Sequence, residues 1–275
     1  IYKMDAIEAL KISDNSKKVY RSTMRRMIKD EFTIPMNEDE EVDRVKEYID
    51  KGTTHNVKLS LLNLVIVLRR EAGKATDALK KLRTSLAAKG LKENIKIMNE
   101  KGTSLPSKDE VASQMNMLFA RQKYKAFIIN YLMFHYGVRN LDLDLMIVKG
   151  RSRAPADGNY IKLNASKGQA TYVRREYKTA KTYGEQTHAI TDKKMITALK
   201  ATETGPLLTL GQIHNDINRN SILKEGDMFK MLIDDAFKKK DTAEINRLSE
   251  TRGTAIPTIK SNYDVNATPE IISKL

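Results

Sequence analysis

The chain has 275 residues, no cysteine, and 49 Lys and Arg against 35 Asp and Glu. The missing thiols exclude disulfide scaffolds, thiolate zinc sites and cysteine nucleophiles, and they suit a reducing compartment. The formal charge of +14 implies a polyanionic partner, nucleic acid ahead of an anionic membrane, because a cationic surface attracts polyanions and speeds their capture.

This length supplies one large domain or two ordinary ones, with enough apolar material for a core that needs no metal. No apolar run is long enough to span a bilayer, and no segment combines an amphipathic pattern with Trp or Phe anchors. The opening "IYKMDAIEALKISDNSKK" lacks the apolar stretch of a secretory signal. It also starts without methionine, as a fragment or a processed product does.

Up to about residue 103 the pattern is helical. "NSKKVYRSTMRRMIKDEF" puts Val19, Met24, Met27 and Ile28 on a helical stripe, with basic residues on the remaining faces. Asp14, Asn15 or Ser16 is expected to cap its start. "HNVKLSLLNLVIVLRREAG" reads as a buried helix stopped by a glycine. "TDALKKLRTSLAAKGLKENIKIMNEKG" continues as helices broken near Gly90. The stretch 100–110, "EKGTSLPSKDE", has no periodicity and marks a boundary, giving a helical domain at 1–103 and a second domain at 104–275.

Beyond it, Ser107 followed by Glu110 fits a capping box. "KYKAFIINYLMFHYG" is apolar nearly all round and is expected at the centre of the core. From 146 to 191 the period changes to strand-like alternation, in "LMIVKG", "NYIKLNA" and a hairpin pairing 172–177 with 187–191 around a basic tip. From 192 the pattern is helical again. The expected class is therefore α+β: mainly α with a small antiparallel sheet. The Asn266 glycosylation triplet is followed by proline and carries no weight in an intracellular setting.

Candidate functional groups are scattered along the second domain. Arg139 follows the apolar helix in "YGVRNLDLDL". Lys178 and Lys181 lie at the hairpin tip in "YKTAKTYGE". Arg219 lies in "IHNDINRNSILKE", at an expected helix start, and Tyr263 closes "INRLSETRGTAIPTIKSNYDV". Together they suit one phosphodiester. Arginine forks stabilise the charge that builds on the non-bridging oxygens, a tyrosine attacks in line, and a lysine protonates the departing oxygen. No metal and no cofactor is called for.

This ordered set resembles the catalytic domain of the tyrosine recombinases, the phage-type integrases. "YGVRNLDL" is similar to that family's first-arginine box, which makes Arg139 the first arginine and Asp142 its acidic support. "YKTAKTYGE" is similar to the hairpin that carries the general-acid lysine, implying Lys181, with Lys178 the alternate. "GPLLTLGQIHNDINRNS" resembles the approach to the second arginine. Arg219 takes that role, Asp216 stands at a usual histidine position, and His214 is near enough to substitute. Gly253 precedes Tyr263 by the family's ten-residue interval, with Thr254 where a second histidine is expected.

The resemblance implies a helical core-binding domain that clamps double-stranded DNA, with Arg21, Arg25, Arg26, Lys80 and Lys81 on phosphates. It implies a homotetramer on paired DNA sites, working with DNA in a host nucleus, cytoplasm or viral factory. The activity implied is DNA integration or recombination through a 3'-phosphotyrosine. Three features depart from the pattern: both histidine positions are replaced, the segment between Arg219 and Tyr263 is long, and only twelve residues follow Tyr263. The altered boxes and the Lys-, Asn- and Ile-rich composition resemble integrases of large DNA viruses and mobile elements. Two other readings stay open: a catalytically degenerate DNA-binding or virion structural protein of the same fold, and a type IB topoisomerase.

Overall fold

A computed structural model describes residues 4–34, 38–51, 54–102, 104–208 and 213–264. Residues 1–94 and 95–275 form two compact units, each with its own apolar core. The first holds α1 (Asp5–Glu8), α2 (Asp14–Lys29), α3 (Glu38–Asp50), α4 (His55–Glu71) and most of α5 (Asp77–Gly102). The cap of α2 is Ser13, one residue before the expected trio. Its extended backbone lets the hydroxyl accept from Ser16 N at 3.2 Å, satisfying a donor that the first helical turn leaves open. Met24 and Met27 enter the core, but Val19 and Ile28 are exposed. The buried face is centred on Thr23, Met24 and Met27, so the ends of the expected stripe fall at its margins.

The buried helix expected at 55–71 is α4, with Leu61, Leu62, Leu64, Val65 and Leu68 all in the core. The break expected near Gly90 is absent, and α5 runs through it. The reason for glycine there is packing, since a Cβ would sit 1.9 Å from the His55 ring. The division between the two units falls at 94/95, inside α5, rather than in the aperiodic stretch that follows.

The second unit is built around α7. The capping box of α6 (Lys108–Ala120) forms as the sequence implies: Glu110 N donates to Ser107 Oγ at 3.2 Å and Ser107 N to Glu110 Oε2 at 2.7 Å. In α7 (Tyr124–Tyr136) every residue from Ala126 to Phe134 is buried. Each large apolar side chain so placed stabilises by about 1.5–3 kcal/mol over leaving it in water. Asn130, the polar exception, donates to Ala126 O and Asn220 O at 2.8 and 2.7 Å and accepts from Ile222 N at 2.8 Å.

Five strands follow: β1 (Leu145–Lys149), β2 (Asn159–Asn164), β3 (Gln169–Arg174), β4 (Gln186–Ile190) and β5 (Gly205–Pro206), in the order β4-β3-β2-β1-β5. The fold is α+β, mostly helical with a small sheet. The sheet is mixed, however, not wholly antiparallel: β1 and β2 run parallel, Ile147 opposite Ile161, joined by loop 150–158. The expected hairpin exists, with Tyr172 opposite His188. Its connection is not a plain tip, because it carries the one-turn helix α8 (Ala180–Tyr183). Then α9 (Lys193–Ala201), α10 (Ile213–Asn220), α11 (Glu225–Lys238) and α12 (Thr242–Arg252) pack on α7, and α13 (Ile256–Asn262) packs on α12. The Asn266 triplet lies outside the described residues.

Candidate active site

Gly137 adopts φ +57° and ends α7, a left-handed conformation that costs other residues. The turn returns Val138 to the core and leaves Arg139 half-buried. Arg139 Nη1 donates to Arg252 O at 2.7 Å and Nη2 to Thr254 Oγ1 at 2.8 Å. Both partners are neutral oxygens, and among the described residues no carboxylate pairs with this guanidinium. Burial lowers its pKa, with the Arg252 charge as the next cause. A half-buried cation in this state gains from an added anion.

Asp142 is fully buried in the 3-10 turn Asn140–Leu143. It supports Arg139 differently from the expectation: its Oδ2 accepts from the Arg139 backbone N at 2.9 Å, while its ion pair is with Arg174 Nη2 at 2.6 Å. Arg174 is fully buried too. It donates to Thr251 O and Gln186 Oε1 and lies over the Tyr177 ring. Burial pushes the Asp142 carboxyl up, and Arg174 is the strongest group pulling it back.

The second guanidinium beside Arg139 is Arg252, the last residue of α12, 1% exposed. It donates to Gly137 O at 2.7 Å, to Glu225 Oε1 at 2.5 Å and to the Tyr263 hydroxyl at 3.3 Å. Its guanidinium carbon lies 4.1 Å from the centre of the Phe229 ring and 5.1 Å from that of Tyr263. The other Glu225 oxygen accepts from Asn140 N at 3.1 Å, so one carboxylate ties Arg252 to the turn that carries Arg139. Tyr263 is half-buried and packs edge-on against Phe229.

Gly253, at φ +62°, separates Arg252 from Thr254. A Cβ there would lie 2.4 Å from Thr179 Oγ1; with none, that hydroxyl donates to Gly253 O at 2.9 Å. The β3–β4 connection is thereby anchored on the α12–α13 junction by Thr179, the residue after Lys178. Both lysines are exposed.

The fold therefore gathers Arg139, Asp142, Thr254 and Tyr263, with the lysine segment alongside. It does not gather the expected second-arginine box. Arg219 stands in the last turn of α10, not at a helix start, and is exposed, with no ion pair among the described residues. His214 is exposed, and Asp216 accepts from Lys125 Nζ at 3.1 Å. α10 does pack beside the 140–143 turn, but among the described residues neither Arg219 nor His214 bonds to a member of the cluster. Arg252, Glu225 and Arg174 are the residues that sequence reasoning missed. Arg252 had a signal in its place next to Gly253; Glu225 and Arg174 carried none in the sequence.

In the first unit, Arg21 is held by Glu8 through two bonds of 2.6 and 2.8 Å, and Lys80 by Asp77 at 3.1 Å. Arg25, Arg26 and Lys81 are exposed. No family model matches the chain, and neither a curated protein nor a solved structure matches it.

Proposed function

We propose that this chain is a site-specific DNA recombinase that cuts and rejoins double-stranded DNA through a 3'-phosphotyrosine at Tyr263. The observation that carries the reading is the Tyr263 hydroxyl at 3.3 Å from Arg252, in the cluster where Arg139 has no carboxylate partner among the described residues. Arg139 uses two of its five donors on neutral oxygens. Those left over suit the non-bridging oxygens of a phosphate, whose charge grows as the fifth oxygen arrives. Arg252 takes the role first given to Arg219, its cation favouring the phenolate as the bond to phosphorus forms.

In the proposed step the Tyr263 oxygen bonds to phosphorus and the 5'-oxygen departs. The phenolic proton passes to water, and Lys181, with Lys178 as alternate, delivers one to the leaving oxygen. The bond energy kept in the phosphotyrosine then serves rejoining to a partner strand, with a tetramer on paired sites inside the cell as the working assembly. Incubation with a nicked suicide duplex tests this. The wild-type chain should give a DNA-linked band on a denaturing gel, and Tyr263→Phe should give none while binding DNA nearly as well. An undiminished band from the Phe variant would remove Tyr263 as nucleophile. Relaxation of a plasmid without any recombination site would favour a type IB topoisomerase instead.

One observation favours a second reading, a DNA-binding or structural protein of decayed activity. Arg252 is 1% exposed, stacked against Phe229 and Tyr263, so Tyr263 must swing aside before a phosphate reaches it. Salt-sensitive DNA binding with no covalent band from the wild-type chain would select that reading.

A further inference from the structure

The first unit holds a cavity of about 460 Å³ between α2, α3 and α4, within the range of small-ligand sites. Arg25, Arg26, Lys29 and Lys51 line it, and among the described lining residues Asp30 brings the one carboxylate. Asp30 is already engaged, accepting from the Tyr48 hydroxyl at 2.6 Å. Lys51 leans on Glu47 at 3.5 Å, and both of those side chains are more than two-thirds exposed, so water and salt screen the pair.

Three cations of this unit outside the cavity do have carboxylate partners. Arg21, one turn earlier on α2, is clasped by Glu8; Lys58 reaches Asp50 at 3.7 Å, and Lys80 reaches Asp77. Among the described residues, Arg25, Arg26 and Lys29 have no carboxylate partner. They also crowd one another at i,i+3 and i,i+4 spacing, an arrangement that opposes the helix unless an anion joins them. Val57 and Leu61 add apolar lining, which suits the carbon skeleton of a sugar.

We propose that this cavity is a phosphate site, taking the phosphate of a nucleotide, free or within a strand. Guanidinium forks from Arg25 and Arg26 hold the oxygens, and Lys29 and Lys51 supply point charges. The site is separate from the arginine cluster of the second unit and does not depend on that cluster being catalytic.

The test measures binding of inorganic phosphate, thymidine monophosphate and a short duplex to the full chain by calorimetry across a salt series. Two variants are compared: Arg26→Gln with Lys29→Gln, and Lys89→Gln with Lys92→Gln, which removes the same charge from exposed positions of α5. The cavity variant should lose about tenfold or more in affinity and show a shallower salt dependence with the duplex. The α5 variant should stay close to wild type, and both should melt like wild type. Loss on the mononucleotide assigns a free nucleotide, and loss on the duplex alone assigns strand phosphate. Equal losses in the two variants, or no binding of any probe, would overturn the proposal.

Discussion

Two arginines meet Asp142, and their surroundings are opposite. Arg174 is sealed: fully buried, paired with the Asp142 carboxylate and donating to Thr251 O and Gln186. Arg139 is open: half-buried, held by two neutral oxygens and touched by Asp142 only through its backbone N–H. The difference shows how a fold prepares an anion site. One buried ion pair fixes the position of a turn, and the guanidinium on that turn keeps its charge available. Such a pair adds little stability in itself, yet breaking one side of it is costly.

The largest effect is expected on the sealed side. Asp142→Asn removes the charge facing Arg174 and should cost about 3–5 kcal/mol, measured by urea unfolding; a cost near zero would mean that Arg174 does not need its partner. On the open side the loss should fall on reaction rather than stability. Arg139→Ala should slow covalent attachment by about 2.7–4 kcal/mol of transition-state stabilisation in single-turnover assays, while melting moves little. Arg219→Ala should leave that rate close to wild type, and an equal loss would restore Arg219 to the site.

Gly253→Ala sharpens the contrast at the junction between the two sides. The φ of +62° and the Thr179 contact together predict a cost of about 1–3 kcal/mol by thermal melting. The last prediction concerns pH. Burial, with Arg174 and Arg247 behind it, holds His188 down at about 4, against 6.5 for the free side chain. The unfolded chain therefore takes up the proton first. This contribution is present above about pH 6.5 and is lost as pH falls towards about 4, at about 1.4 kcal/mol for each unit separating the two pKa values. His188→Phe should flatten the melting curve across that window.

Much of the fold was legible because local signals and burial agreed. The apolar run of α7, the Ser107–Glu110 box and the Tyr172–His188 hairpin all stand where periodicity put them. Gly90 misled because a glycine that makes room for a neighbouring ring looks the same in sequence as one that ends a helix. The parallel β1–β2 pairing was hidden because alternation fixes faces, not strand direction. At the candidate site Arg139 and Tyr263 stood out in the sequence itself, and Asp142 and Thr254 only through the family resemblance. Arg252 and Glu225 did not, since their roles arise only when α11 and α12 pack on α7, more than eighty residues away in sequence.

The most direct test of the convergence of Arg139, Arg252 and Tyr263 on one phosphate is to digest the DNA-linked product and sequence the peptide that retains the nucleotide. That peptide should contain Tyr263 as the modified residue, and Arg252→Lys should sharply reduce its yield. A nucleotide on any other tyrosine, or a yield indifferent to Arg252, would contradict the account.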